Sequence, residues 1–304
     1  MKTKLDYKKL IRNQKVRFKI LGLLDFVSDK MMLKLQYRIK TGRKLNLISP
    51  KRYTEKLQWY KLFYRDPLMT KCSDKFAVRE YVESKGLGEI LNPLYGVYDD
   101  IESINFEDLP QSFAIKHTNG SGANLFINDK TKMNIEDIKS TLREWMFKRK
   151  VNYGREWCYY NVPSRIIIEE LIERDKNNDI PDYKFFCFNG EVKYLYTMVD
   201  YVDNHKMGKC SFFTPEFEKL PYRRSEYMAI DRDIPKPDNF DEMKKIAKIL
   251  SKDFPHVRVD LYNIKGRIIF GELTFYNASG YTVFYPDEFD FKLGEYFILP
   301  EKLQ

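Results

Sequence analysis

The chain has 304 residues, of which 43% are apolar and 32% are charged, and it contains 22 Tyr and 22 Phe. This aromatic content excludes a disordered chain, and no stretch approaches the ~20 apolar residues that a membrane span needs. Four scattered cysteines without a Cys-x-x-Cys pair predict reduced thiols in a cytoplasmic protein. The three histidines lack ligand-like spacing, which argues against a zinc site.

The net charge of +9 is concentrated in one part of the chain. Residues 1–60 hold 17 Lys and Arg against 4 Asp and Glu, so the remaining residues sum to −4. One interpretation is a solvated helical face. The other is peripheral contact with an anionic surface, such as the inner face of a membrane, through residues 1–45. No nucleic-acid motif accompanies the charge, so we expect no nucleic-acid partner.

The first elements in chain order are helices. Residues 1–46 form a basic helical segment, in which a helix capped by Ser28 would turn its inner face to the core. That face comprises Met31, Met32, Leu35 and Ile39. A second region, 47–110, is predicted to be mainly helical, with helices over 53–64 and 71–84.

Strands and helices then alternate. A strand over 113–116 leads into a small polar loop, a second strand covers 124–127, and a helix follows over 134–149. A hairpin joins 182–188 to 191–198 across Asn189-Gly190, and an amphipathic helix covers 240–250. Antiparallel hairpins mixed with helices indicate an α+β fold rather than a doubly wound parallel one.

A second hairpin, within 256–279, carries the most informative polar residues. A three-residue loop of Ile264, Lys265 and Gly266 would place position 258 opposite 272 and position 260 opposite 270. One face would then be apolar, and the other would be polar. The apolar face would comprise Val257, Val259, Leu261, Ile269, Leu273 and Phe275. The polar face would comprise Arg258, Asp260, Glu272 and Thr274.

This polar face has two interpretations. Asp260 and Glu272 would be diagonal neighbours about 7 Å apart, a spacing that lets both carboxylates share Mg²⁺. Arg258 beside them would neutralise a transferring phosphoryl group or a developing oxyanion. The second interpretation is a solvent-exposed face with a weak surface ion pair. A two-residue loop would put Asp260 and Glu272 on opposite faces.

Three further segments are candidates for nucleotide contacts. Lys116 precedes a loop of small residues, 117–122, whose backbone N–H groups can approach phosphates; a plain turn is also compatible with these residues. Segment 169–172 can present its backbone to an adenine edge or simply end a strand. Lys184 alternates with aromatic residues and points either into a phosphate site or to solvent.

Four segments together resemble the TupA-like ATP-grasp family of teichuronopeptide, capsule and other surface-polysaccharide biosynthesis. They are 50–59, 74–81, 182–190, and 253–262 together with 271–275. The resemblance runs from about residue 47 to the C-terminus. It implies an ATP-grasp fold in which two α+β subdomains sandwich ATP. Residues 111–180 would be the small lid subdomain, and 181–304 the central subdomain with the magnesium site.

The resemblance also implies roles for individual residues. Arg258 and Lys184 would be catalytic, and the metal ligands would be Asp260 and Glu272, with Thr274 or Asn277 as a third. Thr274 stands where the family often has an Asn. The nucleotide would be held by Lys116, His117, Asn119, Gly120, Ser121, Gly122, Glu169, Glu170, Leu171, Ile172, Asp182 and Lys184. His117 could instead serve as a structural hydrogen bonder.

The reaction implied by the resemblance uses ATP and Mg²⁺ to join a carboxylate to an amine through an acyl-phosphate. The partners would be an amino acid or amine and a uronic-acid-containing surface polysaccharide or its precursor. Two competing hypotheses are a phosphotransferase that acts on a glycan hydroxyl and a glycosyltransferase. The only Asp-x-Asp triplet, 231–233, lies in a Pro-rich stretch, which disfavours the latter. A third is a non-catalytic binding module that keeps the fold.

Overall fold

The computed structural model describes residues 13–120, 122–147, 153–202 and 207–303. Among these residues, helices dominate up to residue 84, and antiparallel sheets of four, five and two strands follow. Within the described ranges, no helix is both long and apolar enough to cross a membrane. The predicted α+β fold is confirmed.

Within the described residues, five α-helices precede the first sheet. Their bounds are α1 Gln14–Leu23, α2 Asp29–Thr41, α3 Tyr53–Phe63, α4 Pro67–Ser73 and α5 Ala77–Ser84. Ser28 precedes α2 as predicted, but its side chain makes no capping hydrogen bond. The predicted inner face of α2 is wrong in part: Met32 is buried as expected, but Met31 and Leu35 are exposed while Leu33 and Tyr37 are fully buried. The helix is rotated so that Leu33 and Tyr37 pack on Tyr281.

The predicted helix over 71–84 is broken between α4 and α5. Asp74 lies at the break, and its Oδ1 accepts hydrogen bonds from the backbone N–H groups of Phe76 and Ala77 at 2.8 and 3.3 Å. The carboxylate satisfies the first N–H groups of α5, which starts a new helix there. Lys75 therefore lies in an irregular corner instead of on a helix surface.

The smaller sheet has the strand order β1-β4-β2-β3. Its strands are β1 Leu94–Tyr98, β2 Phe113–His117, β3 Asn124–Ile127 and β4 Ile166–Glu169, and α6 Ile135–Phe147 covers one face. Ile138 and Leu142 of α6 pack in a core with strand residues and with Ile101 and Ile104. This subdomain therefore begins near residue 93, and the predicted boundary at 110 is wrong. The apolar segment 101–109 belongs to this core and not to the preceding helices.

The larger sheet has the order β10-β9-β5-β6-β7. Its strands are β5 Asp182–Phe188, β6 Glu191–Val199, β7 Lys209–Phe213, β9 His256–Ile264 and β10 Arg267–Thr274. A short pair, β8 Arg223–Arg224 with β11 Phe284–Tyr285, lies beside it, together with α7 Phe240–Ser251 and α8 Glu288–Tyr296. The β5–β6 hairpin turns at Asn189 and Gly190 with φ of 50° and 77°, as predicted.

The β9–β10 hairpin differs from the prediction in its loop and register. Ile264 pairs directly with Arg267, so the loop has two residues, Lys265 and Gly266, with φ of 53° and 85°. The predicted three-residue loop and the pairing of 258 with 272 and 260 with 270 are therefore wrong. Near the turn, Phe270 rather than Ile269 lies opposite Leu261.

A β-bulge at Gly271 restores the shared polar face. The register shifts between Phe270 and Glu272, so Glu272 lies directly opposite Asp260 and Thr274 opposite Arg258. A two-residue loop alone would have separated Asp260 from Glu272, and the extra residue in β10 reverses that effect. Gly271 is needed for this close approach, because a Cβ there would lie 3.0 Å from the backbone oxygen of Asp260.

Candidate active site

Three adjacent strands place five ionisable side chains on one face of the larger sheet. Asp182 and Lys184 lie on β5, Arg258 and Asp260 on β9, and Glu272 on β10. Lys184 and Glu272 both pair with Asp260, from opposite sides. Because side chains alternate between faces along each strand, this register brings all five together. We call these five residues the ion cluster.

Asp260 is the centre of the ion cluster. Arg258 donates from Nε to Oδ1 at 2.7 Å and from Nη2 to Oδ2 at 2.6 Å. The Lys184 ammonium lies 2.5 Å from Asp260 Oδ2 and 2.5 Å from Asp182 Oδ2. The Asp260 side chain is 1% exposed. Such a bidentate, doubly paired carboxylate has its orientation set by its neighbours.

Glu272 is the carboxylate of the cluster that reaches an open space. Its side chain is 46% exposed, and its Oε1 accepts hydrogen bonds from Arg258 Nη2 at 3.0 Å and Thr274 Oγ1 at 2.7 Å. A small cleft with a cavity volume of about 20 Å³ lies beside it. Other residues that line this cleft include Ser73, Lys75, Gly120, Tyr159 and Gly271.

The surrounding charges shift the pKa values of the cluster in different directions. Partial burial works to raise the pKa of Glu272, but the charges of Arg258 and then Lys184 lower it to about 2. Burial raises the pKa of Asp182 to about 6, against the opposing charge of Lys184. Burial works to lower the pKa of Lys184, yet Asp182 and Asp260 hold it above its ordinary value. The cluster thus opposes two cations to three carboxyl groups.

Arg258 also reaches a tight turn that follows β10. Its Nη1 donates to the side-chain oxygen of Asn277. The next three residues, Ala278, Ser279 and Gly280, have φ of 46°, 55° and 67°. Two successive non-glycine residues in this left-handed region are strained, so surrounding contacts must hold the turn.

Helix α3 supplies those contacts, and sequence reasoning missed them. Gln58 donates to the backbone oxygens of Ser279 and Gly280 at 3.1 and 2.9 Å. The Lys61 ammonium donates to the backbone oxygens of Ser279 and Gly154 at 2.9 Å each. Lys61 is 1% exposed, and burial lowers its pKa to about 7. Gln58 and Lys61 are three residues apart and therefore share one face of α3, and this spacing was the signal in the sequence. Nothing near them in the sequence indicated that they would contact the turn after β10.

Lys75 holds the small-residue loop in place through hydrogen bonds, and it is another residue that the sequence analysis did not identify. Its Nζ donates to the backbone oxygens of His117, at 3.1 Å, and of Gly120. Gly120 and Gly122 have φ of 78° and 82°, a backbone region that favours glycine. Ser121 lies outside the described residues. The Asp-Lys pair in segment 74–81 was the signal for Lys75.

Two predicted nucleotide contacts have side chains that hold the loop itself. His117 is fully buried; its Nδ1 lies 3.0 Å from the backbone oxygen of Asn119 and its Nε2 lies 2.8 Å from Ser164 Oγ. Asn119 donates to the backbone oxygens of Tyr159 and Val162 at 3.2 and 3.3 Å. These contacts agree with the structural interpretation of His117. Because the side chains of His117 and Asn119 are occupied by these contacts, the backbone of the loop is the part available to bind a phosphate.

The smaller sheet carries the remaining candidates on the face opposite its core. Lys116 forms an ion pair with Glu169. Glu170 donates its backbone N–H to the oxygen of Pro93 at 2.9 Å and accepts from Asn92 at 2.6 Å. The backbone of Glu170 is therefore already engaged. Leu171 and Ile172, which follow it, are half-buried.

The oxygen atoms of the ion cluster, together with the neighbouring hydroxyl of Thr274, are of the kind that Mg²⁺ prefers. Carboxylates and a hydroxyl are oxygen ligands, and Mg²⁺ needs only one or two protein carboxylates when phosphate and water complete its shell. Glu272 is accessible for this role. Asp260 already bonds to Arg258 and Lys184, and the Asn277 oxygen accepts from Arg258. No group of three His, Cys, Asp or Glu residues poised for a metal occurs in the described part of the chain.

The TupA-like ATPgrasp family matches residues 55–298. Because the match covers most of the sequence, the chain belongs to this family. The resemblance inferred from segments 50–59, 74–81, 182–190, and 253–262 together with 271–275 is thereby confirmed, and with it the ATP-grasp fold. No protein with a curated description matches the chain.

Solved structures to which the chain is similar include several ligases. The chain has 13% identity and a TM-score of 0.43 with an L-amino acid ligase from Bacillus licheniformis, covering 90% of this chain and 57% of that one. It has 16% identity and a TM-score of 0.41 with D-alanine–D-alanine ligase from Bacillus anthracis, covering 67% and 56%. The chain therefore spans little more than half the length of either protein. At these scores neither likeness carries a functional argument.

Proposed function

We propose that the protein is an ATP- and Mg²⁺-dependent carboxylate–amine ligase that proceeds through an acyl-phosphate and releases ADP. The observation that carries this proposal is the ion cluster itself. Ion pairs join Lys184, Asp260, Arg258 and Glu272 in series, and Glu272 lines a cleft that is bordered by the glycine-containing loop held by Lys75. Family membership supports the same class of reaction.

Each group has a role that follows from its position. Glu272, with Asp260 and Thr274 beside it, would hold Mg²⁺, whose charge would offset that of phosphate oxygens. Lys184 and Arg258 would neutralise the charge that develops on the transferring phosphoryl group and on the tetrahedral centre that follows. Their contacts with Asp260 hold both cations in place before any substrate binds, so little reorganisation is needed.

The nucleotide would lie between the two sheets. The backbone of the loop around Gly120 and Gly122 would approach its phosphates, with Lys116 nearby on β2. Since the backbone of Glu170 is engaged, Leu171 and Ile172 are left to meet the adenine edge. The reaction then depends on positioning and charge neutralisation and requires no covalent nucleophile. The four cysteines agree with this, because all are free and buried.

The proposed substrates are an amino acid or amine and a uronic-acid-containing surface polysaccharide or its precursor. Their support is the family resemblance together with the proposed carboxylate activation. We also propose a cytoplasmic location, where ATP is supplied and thiols stay reduced.

The test is to incubate the purified protein with Mg-ATP, candidate amino acids and uronic-acid glycans. ADP, free phosphate and the mass of the product are then measured. ADP and phosphate in equal amounts, with an amide product, would support the ligase. ADP without free phosphate, with a phosphorylated glycan, would replace it with the phosphotransferase.

Two further outcomes would point to the glycosyltransferase or to the binding module. Consumption of a sugar nucleotide without ATP would favour the glycosyltransferase. The absence of ADP release with every acceptor, combined with retained ATP binding, would favour a non-catalytic binding module. Retained turnover in Glu272→Gln or Asp260→Asn would remove the proposed metal site while leaving the family assignment in place.

A further inference from the structure

The first two helices in the described part of the chain, α1 and α2, present unusual outward faces. On α1, Val16, Lys19, Ile20 and Leu23 recur at intervals of three and four residues, so they share one face. All four are exposed, with Val16 42%, Ile20 40% and Leu23 75% accessible. An isolated exposed apolar residue needs no explanation, but a regular stripe of them does.

The second helix repeats the pattern. On α2, Met31, Lys34, Leu35 and Arg38 have the same spacing, and all are exposed. Met31 is 65% accessible and Leu35 is 49%. Phe26, in the connection between the two helices, is 85% accessible. Each helix thus carries apolar and basic side chains together on its solvent side.

The opposite side of α2 is firmly attached to the body of the protein. Leu33 and Tyr37 are fully buried, and Gln36 donates to the backbone oxygen of Tyr153 at 2.9 Å. Arg155 donates to Asp29 at 3.0 Å and to the backbone oxygen of Leu24 at 3.0 Å. The exposed stripe of α2 therefore belongs to a helix whose orientation is set by other contacts.

The charge of this segment indicates what its surface meets. Residues 13–45 contain nine Lys and Arg and only two acidic residues, Asp25 and Asp29. Asp29 is already paired with Arg155. Two copies of so basic a surface would repel each other. A nucleic acid would neutralise the positive charge of residues 13–45, but it has no apolar region in which Leu23 and Phe26 could be buried.

We propose that α1, α2 and their connection bind the surface of an anionic phospholipid bilayer. Val16, Ile20, Leu23, Phe26, Met31 and Leu35 would enter the boundary between headgroups and acyl chains, and Lys19, Lys34 and Arg38 would meet the lipid phosphates. This is the combination that interfacial helices use. Each basic side chain near such a surface strengthens binding about fivefold. The proposal is independent of the ligase reaction.

The test is sedimentation of the full-length chain with vesicles. One set consists of phosphatidylcholine alone, and the other also contains phosphatidylglycerol. We expect binding only to the anionic vesicles, weakening as salt is raised because the charges are screened. Equal binding to both sets, or binding to neither, would overturn the proposal.

Variants separate the apolar contribution from the charged one. The double changes Leu23→Ser with Phe26→Ser, and Lys34→Gln with Arg38→Gln, should each weaken binding at least about tenfold. Met228→Ser and Lys132→Gln serve as matched controls, because these side chains are 72% and 82% exposed elsewhere in the chain. Unaltered thermal unfolding checks that every variant is folded, since the substituted side chains are exposed.

Two other binding partners, a second copy of this chain or a nucleic acid, would give different experimental results. A dimer in solution that the Leu23→Ser, Phe26→Ser variant dissociates would assign the face to a second copy. Binding of duplex DNA that needs Lys34 and Arg38 but not Leu23 and Phe26, without vesicle binding, would assign the charge to nucleic acid. Either result would contradict the bilayer proposal.

Discussion

The two sheets each turn charged side chains toward the proposed nucleotide site, but they hold them differently. In the ion cluster of the larger sheet, the side chains of Arg258 and Asp260 are 7% and 1% exposed. On the smaller sheet, the Lys116 side chain is 22% exposed, and its ion-pair partner among the described residues is Glu169. A buried cluster with several shared contacts keeps one geometry, whereas an accessible pair can exchange partners when a ligand arrives. The first suits chemistry that needs preorganisation, and the second suits reversible binding.

Removing Arg258 should have the largest effect. Arg258→Met takes the bidentate partner from Asp260 and leaves a buried carboxylate with Lys184 alone. We expect a loss of about 3 to 5 kcal/mol in the free energy of unfolding, together with loss of ATP turnover. Urea unfolding and ADP release measure the two effects. Arg267→Met is the matched control, because Arg267 is 51% exposed and pairs with Glu170 at 2.9 Å. Equal losses of stability and turnover in Arg258→Met and Arg267→Met would contradict the proposed difference between buried and accessible ion pairs.

Glu272→Gln should separate catalysis from stability. The amide keeps an oxygen for Arg258 but loses the negative charge that a metal needs, so turnover should fall about 100-fold or more. Because this side chain is half-exposed, the free energy of unfolding should change by less than about 1 kcal/mol. Steady-state ADP release and urea unfolding test this pair of effects. Glu170→Gln is the control on the smaller sheet and should leave turnover within about threefold.

Gly271→Ala should affect the geometry of the cluster without changing any charge. The added Cβ would lie 3.0 Å from the Asp260 backbone oxygen and 3.3 Å from the Tyr262 ring, so β9 and β10 must move apart. A cost of about 1 to 3 kcal/mol in unfolding is expected, with a parallel drop in turnover. Gly88→Ala is the matched control, since its nearest contact would lie at an ordinary 3.6 Å. If Gly271→Ala and Gly88→Ala lose the same stability and turnover, the close approach of the two strands at the bulge does not affect function.

Lys116→Met tests the accessible pair. Lys116 is 22% exposed but its partner Glu169 is only 9% exposed, so loss of the lysine should cost about 1 to 3 kcal/mol in the free energy of unfolding. The apparent KM for ATP should also rise about tenfold, as expected for a lost charged hydrogen bond. Initial rates of ADP release against ATP concentration measure this effect. Lys132→Met, on the same subdomain with a side chain that is 82% exposed, should leave KM unchanged. An unchanged KM in Lys116→Met would remove Lys116 from the nucleotide site.

The smallest effects concern acid stability, and two members of the ion cluster should act in opposite directions. The pKa of Glu272 is lowered from 4.5 to about 2, so its stabilising contribution is present above pH 4.5 and is lost as pH falls toward 2. The pKa of Asp182 is raised from 3.8 to about 6, so its ionisation reduces stability as pH rises through that range. Chemical unfolding across pH should show Glu272→Gln removing the first slope and Asp182→Asn the second. Slopes of the same sign in the two variants would contradict these assignments.

Several elements were predictable because their signals are local. The Asn189-Gly190 turn joins β5 to β6 as expected, and helices α6 and α7 lie within a few residues of their predicted bounds. The rotation of α2 was not predictable, because apolar residues occur around much of that helix. Only its packing on Tyr281, far along the chain, selects Leu33 and Tyr37 as the buried side. The same reason applies to residues 101–109, whose core is formed by strands that come later.

The sequence alone places the residues of the candidate site in pairs, each pair on one face of a strand. Asp182 and Lys184, Arg258 and Asp260, and Glu272 and Thr274 are each two residues apart, so each pair shares one face of its strand whatever the pairing. Only the tertiary structure decided that the three faces coincide. The two-residue loop would have turned Glu272 away, and the bulge at Gly271 brings it back opposite Asp260. A bulge depends on how two whole strands pair and pack, so the residue at any single position does not predict it.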